Sequence, residues 1–306
     1  MAFIFMRRKI IYFINPVAGI KNKDALLKTI EERTHAQKIP FEILHTNPSG
    51  NYFFLKDKID NDYITDIVVC GGDGTVNQIA GALIDVDVNV GIIPAGSGNG
   101  LALAAKIPKQ PDKALDIIFN GKGSYIDAFF INSSFSCMLS GLGFDAAVAH
   151  EFAKQARRGL STYIKESLNH FLNAETYSFD ITSMGMTFST DAFFICIANG
   201  NQFGNQVTIA PQASLKDGLL DVVVVQKMNK LEMIWDVLKQ VRSGKVKPHE
   251  EVYFNKKGVL YFQTDRLMIN NLSMAPLHID GEPATTARKI TVEVIPDAFR
   301  LIQPIR

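Results

Sequence analysis

The sequence is poor in cysteine, poor in excess charge and short of long apolar runs. Its 306 residues hold three cysteines, Cys70, Cys137 and Cys196, set in or beside apolar stretches and at no metal-binding spacing. That excludes a thiolate metal centre and predicts inert buried thiols in a reducing compartment. The six histidines form no H-E-x-x-H pair, which removes that zinc site. A net charge of +1 is too small for a general electrostatic grip on nucleic acid, so no nucleic-acid partner is expected. No apolar run reaches the ~18 residues of a membrane-spanning helix. Residues 1–6 are apolar, but Arg7, Arg8 and Lys9 follow them rather than precede them, the wrong order for a secretory leader. A cytoplasmic protein is expected. There is also no G-x-x-x-x-G-K-[ST] loop, and Gly96-Ser97-Gly98-Asn99-Gly100-Leu101 ends in leucine where the dinucleotide fingerprint needs glycine.

What remains is an ordinary globular composition, 47% hydrophobic and 21% charged, in a chain long enough for two domains. The first third alternates two periodicities. Residues 10–14, 41–45, 66–70 and 90–93 read as strands, and residues 24–37, 75–84, the stretch up to Lys106 and 111–120 read as helices. Strands alternating with helices predict βαβ units around a parallel sheet covered on both faces. Ligands of such sheets bind at the carboxyl ends of the strands. Near residues 125–131 the pattern changes. Residues 129–139, 177–183, 186–197, 219–226, 259–264, 266–269 and 277–280 read as strands, with helical segments at 162–172 and at 230–243, the latter carrying Trp235. Many short strands separated by turn residues predict a mostly antiparallel sandwich or barrel. No internal repeat or low-complexity tract interrupts either part.

The richest turn is Gly71-Gly72-Asp73-Gly74-Thr75, between a strand and a helix. Glycine lets the backbone approach a ligand closely, and a helix start presents unpaired N–H groups to an anion. Asp73 could then hold a metal beside a phosphate. The same residues would also suit a tight strand-to-helix turn capped by Asp or Thr. Ile14-Asn15-Pro16-Val17-Ala18-Gly19 closes the first strand, with Lys21 and Lys23 beyond it, either reaching phosphates or lying on a solvated turn. Pro94-Ala95-Gly96-Ser97-Gly98-Asn99-Gly100 again follows a strand and precedes a helix. In the second part, Ala210-Pro211-Gln212-Ala213-Ser214-Leu215-Lys216-Asp217-Gly218-Leu219-Leu220-Asp221 sets a carboxylate beside glycine. Such a loop holds a hard cation with backbone carbonyls, or is a hairpin turn. Ile279-Asp280-Gly281-Glu282 places two carboxylates around a glycine, the composition of another turn.

In the order N-P-x-x-G, G-G-D-G-T, P-x-G-[ST]-x-N, A-P-x-A-x-x-x-D-G-x-L-D, D-G-E, these segments make residues 8–300 resemble the diacylglycerol kinase catalytic family. That family includes bacterial lipid kinases and the sphingosine and ceramide kinases. Gly-Gly-Asp-Gly-Thr alone is shared with NAD kinases and, in near variants, phosphofructokinases; Asn15-Pro16 and residues 94–99 point to lipid kinases. The resemblance implies an N-terminal three-layer α/β domain of NAD kinase and phosphofructokinase type, with a mostly parallel sheet, over residues 1–126 joined by 291–306. Residues 127–290 would form a C-terminal, mostly antiparallel β-sandwich or barrel domain, with a cleft between the two. It further implies an enzyme of lipid metabolism that uses ATP and Mg2+ to phosphorylate the hydroxyl of diacylglycerol, a sphingoid base or a related lipid alcohol. The competing readings are a kinase for a soluble acceptor such as NAD or a sugar-like metabolite, and a nucleotide-binding regulatory protein. Retained Asp73, Asp217 and Glu282 argue against the last.

Carried over by motif, Asp73 with Gly71, Gly72, Gly74 and Thr75 surrounds the ATP phosphates and their metal. Asn15, Lys21, Thr46, Asn77, Gly96 and Ser97 line the nucleotide, and Asn99 steadies that loop. A second, mainly structural magnesium is held by Asp217 and backbone oxygens of Ser214 and Leu219. Glu282 matches the general base, with Asp73 as its rival. Two departures stand out: Ser97 where many bacterial members have Thr, and Gly100 where they have Asp. The resulting Ser-Gly-Asn run looks more like the sphingosine and ceramide kinase branch, which leaves the lipid open. Transient contact with a membrane surface is implied by such a substrate. Lys154, Arg157 and Arg158 are candidates for it, or for a solvated helix face. A homodimer stays open.

Overall fold

The computed structural model of the protein describes residues 8–17, 19, 23–144, 146–147, 174–204, 207–208, 210–227 and 258–305. The chain divides into two compact units, Met1–Ile126 with Asp297–Arg306, and Asp127–Pro296.

The first unit runs β1 (Ile10–Ile14), α1 (Lys23–Ala36), β2 (Phe41–His45), α2 (Phe54–Asp62), β3 (Asp66–Gly71), α3 (Asp73–Gly81), β4 (Asn89–Pro94), α4 (Gly100–Ala104) and α5 (Pro111–Asn120). Its strands pair in the order β2-β1-β3-β4, every pair parallel. All residues of β1 and β3 are buried, as expected of strands covered on both faces. Successive side chains of β1 take opposite faces: the Tyr12 hydroxyl meets that of Thr34 on α1 at 2.8 Å, while Phe13 packs edge-on against Tyr52 with centroids 5.6 Å apart. At the amino ends of the strands, Arg8 forks onto Asp66 at 2.9 Å and donates to the carbonyls of Ile118 and Phe119 at the end of α5. Helix α2 was not expected. Only Leu55 and Ile59 are buried on it, one turn apart, too short a stripe to show as periodicity.

The second unit is built from β5 (Lys122–Ile131), which begins in the first unit, β6 (Ser134–Ser136), β7 (Leu139–Gly143), β8 (Tyr177–Ser183), β9 (Met186–Ala198), β10 (Gln202–Gly204), β11 (Val207–Thr208), β12 (Leu220–Gln226), β13 (Val259–Thr264), β14 (Arg266–Asn271), β15 (Leu277–Ile279), β16 (Glu282–Ala284) and β17 (Lys289–Gln303). Strand β9 serves two sheets. Its first half pairs with β8, which leads on to β14 and β17; its second half lies between β7 and β12. All these pairs are antiparallel, and the inward residues of both sheets close one core around Phe129, Phe179, Ile195, Ile197, Val222 and Val292. The result is a β-sandwich attached to an α/β unit.

Two expectations need adjustment. Residues 129–139 do not form one strand: Asn132 takes φ 53° in a turn, and β5, β6 and β7 share the segment. Strand β17 is longer than residues 292–302 and changes units at Asp297 rather than at 291. At that point the strand carries Pro296, which has no N–H to donate, and Asp297 at φ 51°. Beyond it, Arg300 and Leu301 continue the first unit's sheet, parallel to β4. The helical segments expected at 162–172 and 230–243 lie outside the described residues. Among the described residues no helix is long and apolar enough to cross a membrane.

Candidate active site

Three turns come together at the carboxyl ends of β1, β3 and β4. The Asn15 N–H donates to the Cys70 carbonyl at 3.0 Å and the Ala95 N–H to the Gly71 carbonyl at 2.8 Å, so the parallel ladder continues into the turns. Side chains then lace them. Asn15 Nδ2 donates to Thr75 Oγ1 at 2.8 Å, while its Oδ1 accepts the Val17 N–H at 2.9 Å. Asp73, the first residue of α3, accepts the Asn99 N–H at 2.7 Å through Oδ2. Asn99 closes its own loop by accepting from Gly96 N–H at 2.8 Å and donating to the Gly96 carbonyl at 2.6 Å. It is buried in a left-handed conformation, φ 57°, which asparagine tolerates better than most residues.

The backbones themselves nearly touch. A Cβ on Gly96 would lie 2.5 Å from the Gly72 Cα, and one on Gly98 would lie 2.8 Å from Asp73 Oδ2. The first of these meetings is backbone against backbone, so a side chain at Gly96 cannot be accommodated by a rotamer change. Turns this bare present N–H groups where an anion can reach them. Around this rim, Thr46 donates its N–H to the Ile14 carbonyl at 3.0 Å, Asn77 lies one turn along α3 from Asp73, and Ser97 is exposed at the loop tip. Gly74 lies within α3's first turn, and Thr75 is buried under the Asn15 amide. Lys23 opens α1, while Lys21 lies outside the described residues.

In the second unit, Asp127 shapes the loop that carries Asp217. Its N–H donates to the Leu215 carbonyl at 2.7 Å and its Oδ2 accepts the Gly218 N–H at 2.8 Å. Asp217 Oδ1 accepts the Leu219 N–H at 3.2 Å, and Ser214 Oγ accepts the Lys216 N–H at 3.4 Å. Partial burial raises the Asp217 carboxyl above its ordinary range, and the Asp127 charge adds to the rise. Asp221 is fully buried at the start of β12, accepting from the Tyr261 hydroxyl and from Gln263 Nε2 at 3.2 Å. Burial pushes its carboxyl up to about 7, against the pull of the Gln263 amide. Among the described residues no three His, Cys, Asp or Glu side chains converge as a metal cluster. A cation at this loop would draw instead on backbone carbonyls and water beside one or two carboxylates, the donor set that magnesium accepts.

The segment Asp280-Gly281-Glu282 is indeed a turn. Ile279 pairs with Glu282 across a two-residue hairpin whose Asp280 and Gly281 have φ 47° and 83°. Glu282 emerges exposed at the start of β16, and Asp280 is buried. Asp280 and Asp221 lie inside the D-G-E and A-P-x-A-x-x-x-D-G-x-L-D segments, whose composition alone assigns them no role. Asp127 carried one sequence signal, a lone carboxylate inside the apolar run Ile126-Asp127-Ala128-Phe129. Lys154, Arg157 and Arg158 lie outside the described residues.

Residues 9–131 match the diacylglycerol kinase catalytic domain, and residues 139–303 match the YegS C-terminal NAD kinase beta sandwich-like domain. The chain belongs to this kinase family. Among its relatives is a probable lipid kinase, YegS-like, of Yersinia enterocolitica, 30% identical over 246 residues covering 78% of each chain. The diacylglycerol kinase of Bacillus subtilis is 25% identical over 221 residues, covering 71% of this chain and 70% of its own. A crystal structure of a diacylglycerol kinase from Bacillus anthracis superposes with a TM-score of 0.77 at 21% identity, covering 97% of both chains, and so shares the fold.

Proposed function

We propose that this kinase-family member transfers the γ-phosphoryl group of ATP to the hydroxyl of a lipid alcohol, with diacylglycerol and sphingoid bases as the leading candidates. The observation that carries the reading is the close approach of Gly72 to Gly96 with Asp73 and Asn99 bonded across it. The names of the Yersinia and Bacillus relatives support the lipid acceptor.

Phosphoryl transfer proceeds through a loose transition state with charge spread over the transferred group, so catalysis is chiefly positioning and neutralisation. Backbone N–H groups in the first turn of α3 and those of Ser97 and Gly98 are the candidate donors to phosphate oxygens, the Gly96 and Asn99 N–H groups being taken by Asn99 Oδ1 and Asp73 Oδ2. Asp73 fits a Mg2+ companion, because a carboxylate can accept an N–H and ligate a cation at once. Asp217, with the Ser214 and Leu219 carbonyls, would hold a second, structural ion. Bound Mg2+ would neutralise phosphate charge. An aliphatic hydroxyl is a weak acid, so its proton must leave as the new O–P bond forms and the bond to ADP breaks. Glu282, exposed and carried at the end of a two-residue hairpin, is the acceptor we assign.

The test is transfer of radiolabelled γ-phosphate from ATP to a panel of lipid alcohols, with NAD and sugars included. Phosphorylated lipid is expected; transfer to NAD alone would overturn the assignment.

A further inference from the structure

Asp280 stands two residues before Glu282, yet its carboxylate is turned entirely to other work. Oδ1 accepts from Ser136 Oγ at 2.7 Å, from Met138 N–H at 3.1 Å and from Leu139 N–H at 2.9 Å; Oδ2 accepts the Cys137 N–H at 3.1 Å. Three successive backbone N–H groups therefore close on one carboxylate, in the manner of the nests that take free anions. The Asp280 N–H returns to the Leu139 carbonyl at 2.8 Å, tying the residue to the β6–β7 connection in both directions. Charge-assisted bonds of this kind are roughly twice as strong as neutral ones.

Little separates this anchor from Glu282. The hairpin turn holds only Asp280 and Gly281, and His278 Nδ1 accepts the Gly281 N–H at 3.3 Å. The anchored segment is itself held by Asn199, whose Nδ2 donates to the carbonyls of Asp127 at 2.7 Å and Cys137 at 3.0 Å. Its N–H donates to the Met138 carbonyl at 2.9 Å. Residues 136–139 thus form one frame, linked on one side to the hairpin of Glu282 and on the other to Asp127, which shapes the Asp217 loop.

We propose that Asp280 is the positioning residue for Glu282, fixing the hairpin so that the Glu282 carboxylate is held where the acceptor hydroxyl loses its proton. The inference rests on Glu282 being that proton acceptor. A general base works only within hydrogen-bond reach, and a displacement of about 1 Å can cost on the order of a hundredfold in rate.

Asp280→Asn is a clean test, because Asn-Gly is the preferred pair of this turn type and keeps its backbone. The amide must nevertheless aim an N–H at donors that now meet an oxygen. The expected result is a kcat lowered about tenfold or more with KM for ATP unchanged. Ser136→Ala removes one donor and keeps the charge; about a threefold loss in kcat is expected. Where Asp280→Asn does not fold, unchanged turnover in Ser136→Ala overturns the inference. Both substitutions are then placed in the Glu282→Gln background, where the residual turnover should fall no further. A loss of equal size with and without Glu282 would mean general structural damage and would overturn the positioning role alone. Near-wild-type turnover by Glu282→Gln itself would instead remove the base on which the inference stands.

Discussion

Asp73 and Asn99, 26 residues apart, are joined by a 2.7 Å hydrogen bond from the Asn99 N–H to the Asp73 carboxylate. The bond fixes the turn after β3 to the turn after β4. Asp73 is thus part of the frame of the proposed phosphate rim as well as its candidate metal holder.

Asp73→Asn should lower lipid phosphorylation by about two orders of magnitude or more, since the neutral amide ligates a cation poorly. The Asn99 bond survives if the amide presents its oxygen, so the thermal midpoint should move little. Turnover within a few-fold of wild type would refute the role.

Glu282→Gln should also cost about two orders of magnitude or more, but in kcat rather than in KM for ATP. Because Glu282 is exposed, the fold should be untouched. Steady-state kinetics with the ATP concentration varied would separate the two parameters. A raised KM with normal kcat would assign Glu282 to nucleotide binding instead.

Gly96→Ala forces a Cβ to within 2.5 Å of the Gly72 Cα. The strain of such overpacking is about 1–3 kcal/mol, and the backbone that must move is the one we propose faces the phosphates. Lower thermal stability together with weaker ATP binding by calorimetry is expected. Unchanged binding would place the nucleotide elsewhere.

The buried Asp221 carboxyl is raised from an ordinary 3.8 to about 7. A folded-state value above the unfolded one means that the folded protein binds the extra proton. The stability this group contributes is therefore complete below about pH 4 and lost as pH rises through about 7. Melting curves should show wild type losing ground to Asp221→Asn between about pH 5 and pH 8. A constant difference between the two would show that Asp221 titrates in the ordinary carboxylate range.

Neutralising Lys154, Arg157 and Arg158 together should weaken binding to anionic phospholipid vesicles, each charge contributing about 1 kcal/mol near such a surface. Unchanged sedimentation with vesicles would refute a membrane role for these three charges.

The sequence by itself determined the α/β architecture of the first unit. Residues 10–14, 66–70 and 90–93 are apolar runs too short for buried helices, each ending in a turn rich in glycine or proline, and only parallel strands covered on both faces suit them. The ordered motifs also singled out the turns after β1, β3 and β4, which the structure brings together. Tertiary structure alone decided which carboxylates are buried and bonded and which stand exposed. Asp280 is sequestered by residues 136–139 while Glu282 is left exposed, and Asp127 reaches a loop 91 residues away. Local periodicity carries no trace of such bonds. They depend on where the strands bring distant backbone N–H groups, and a buried carboxylate persists only where enough of those donors converge on it.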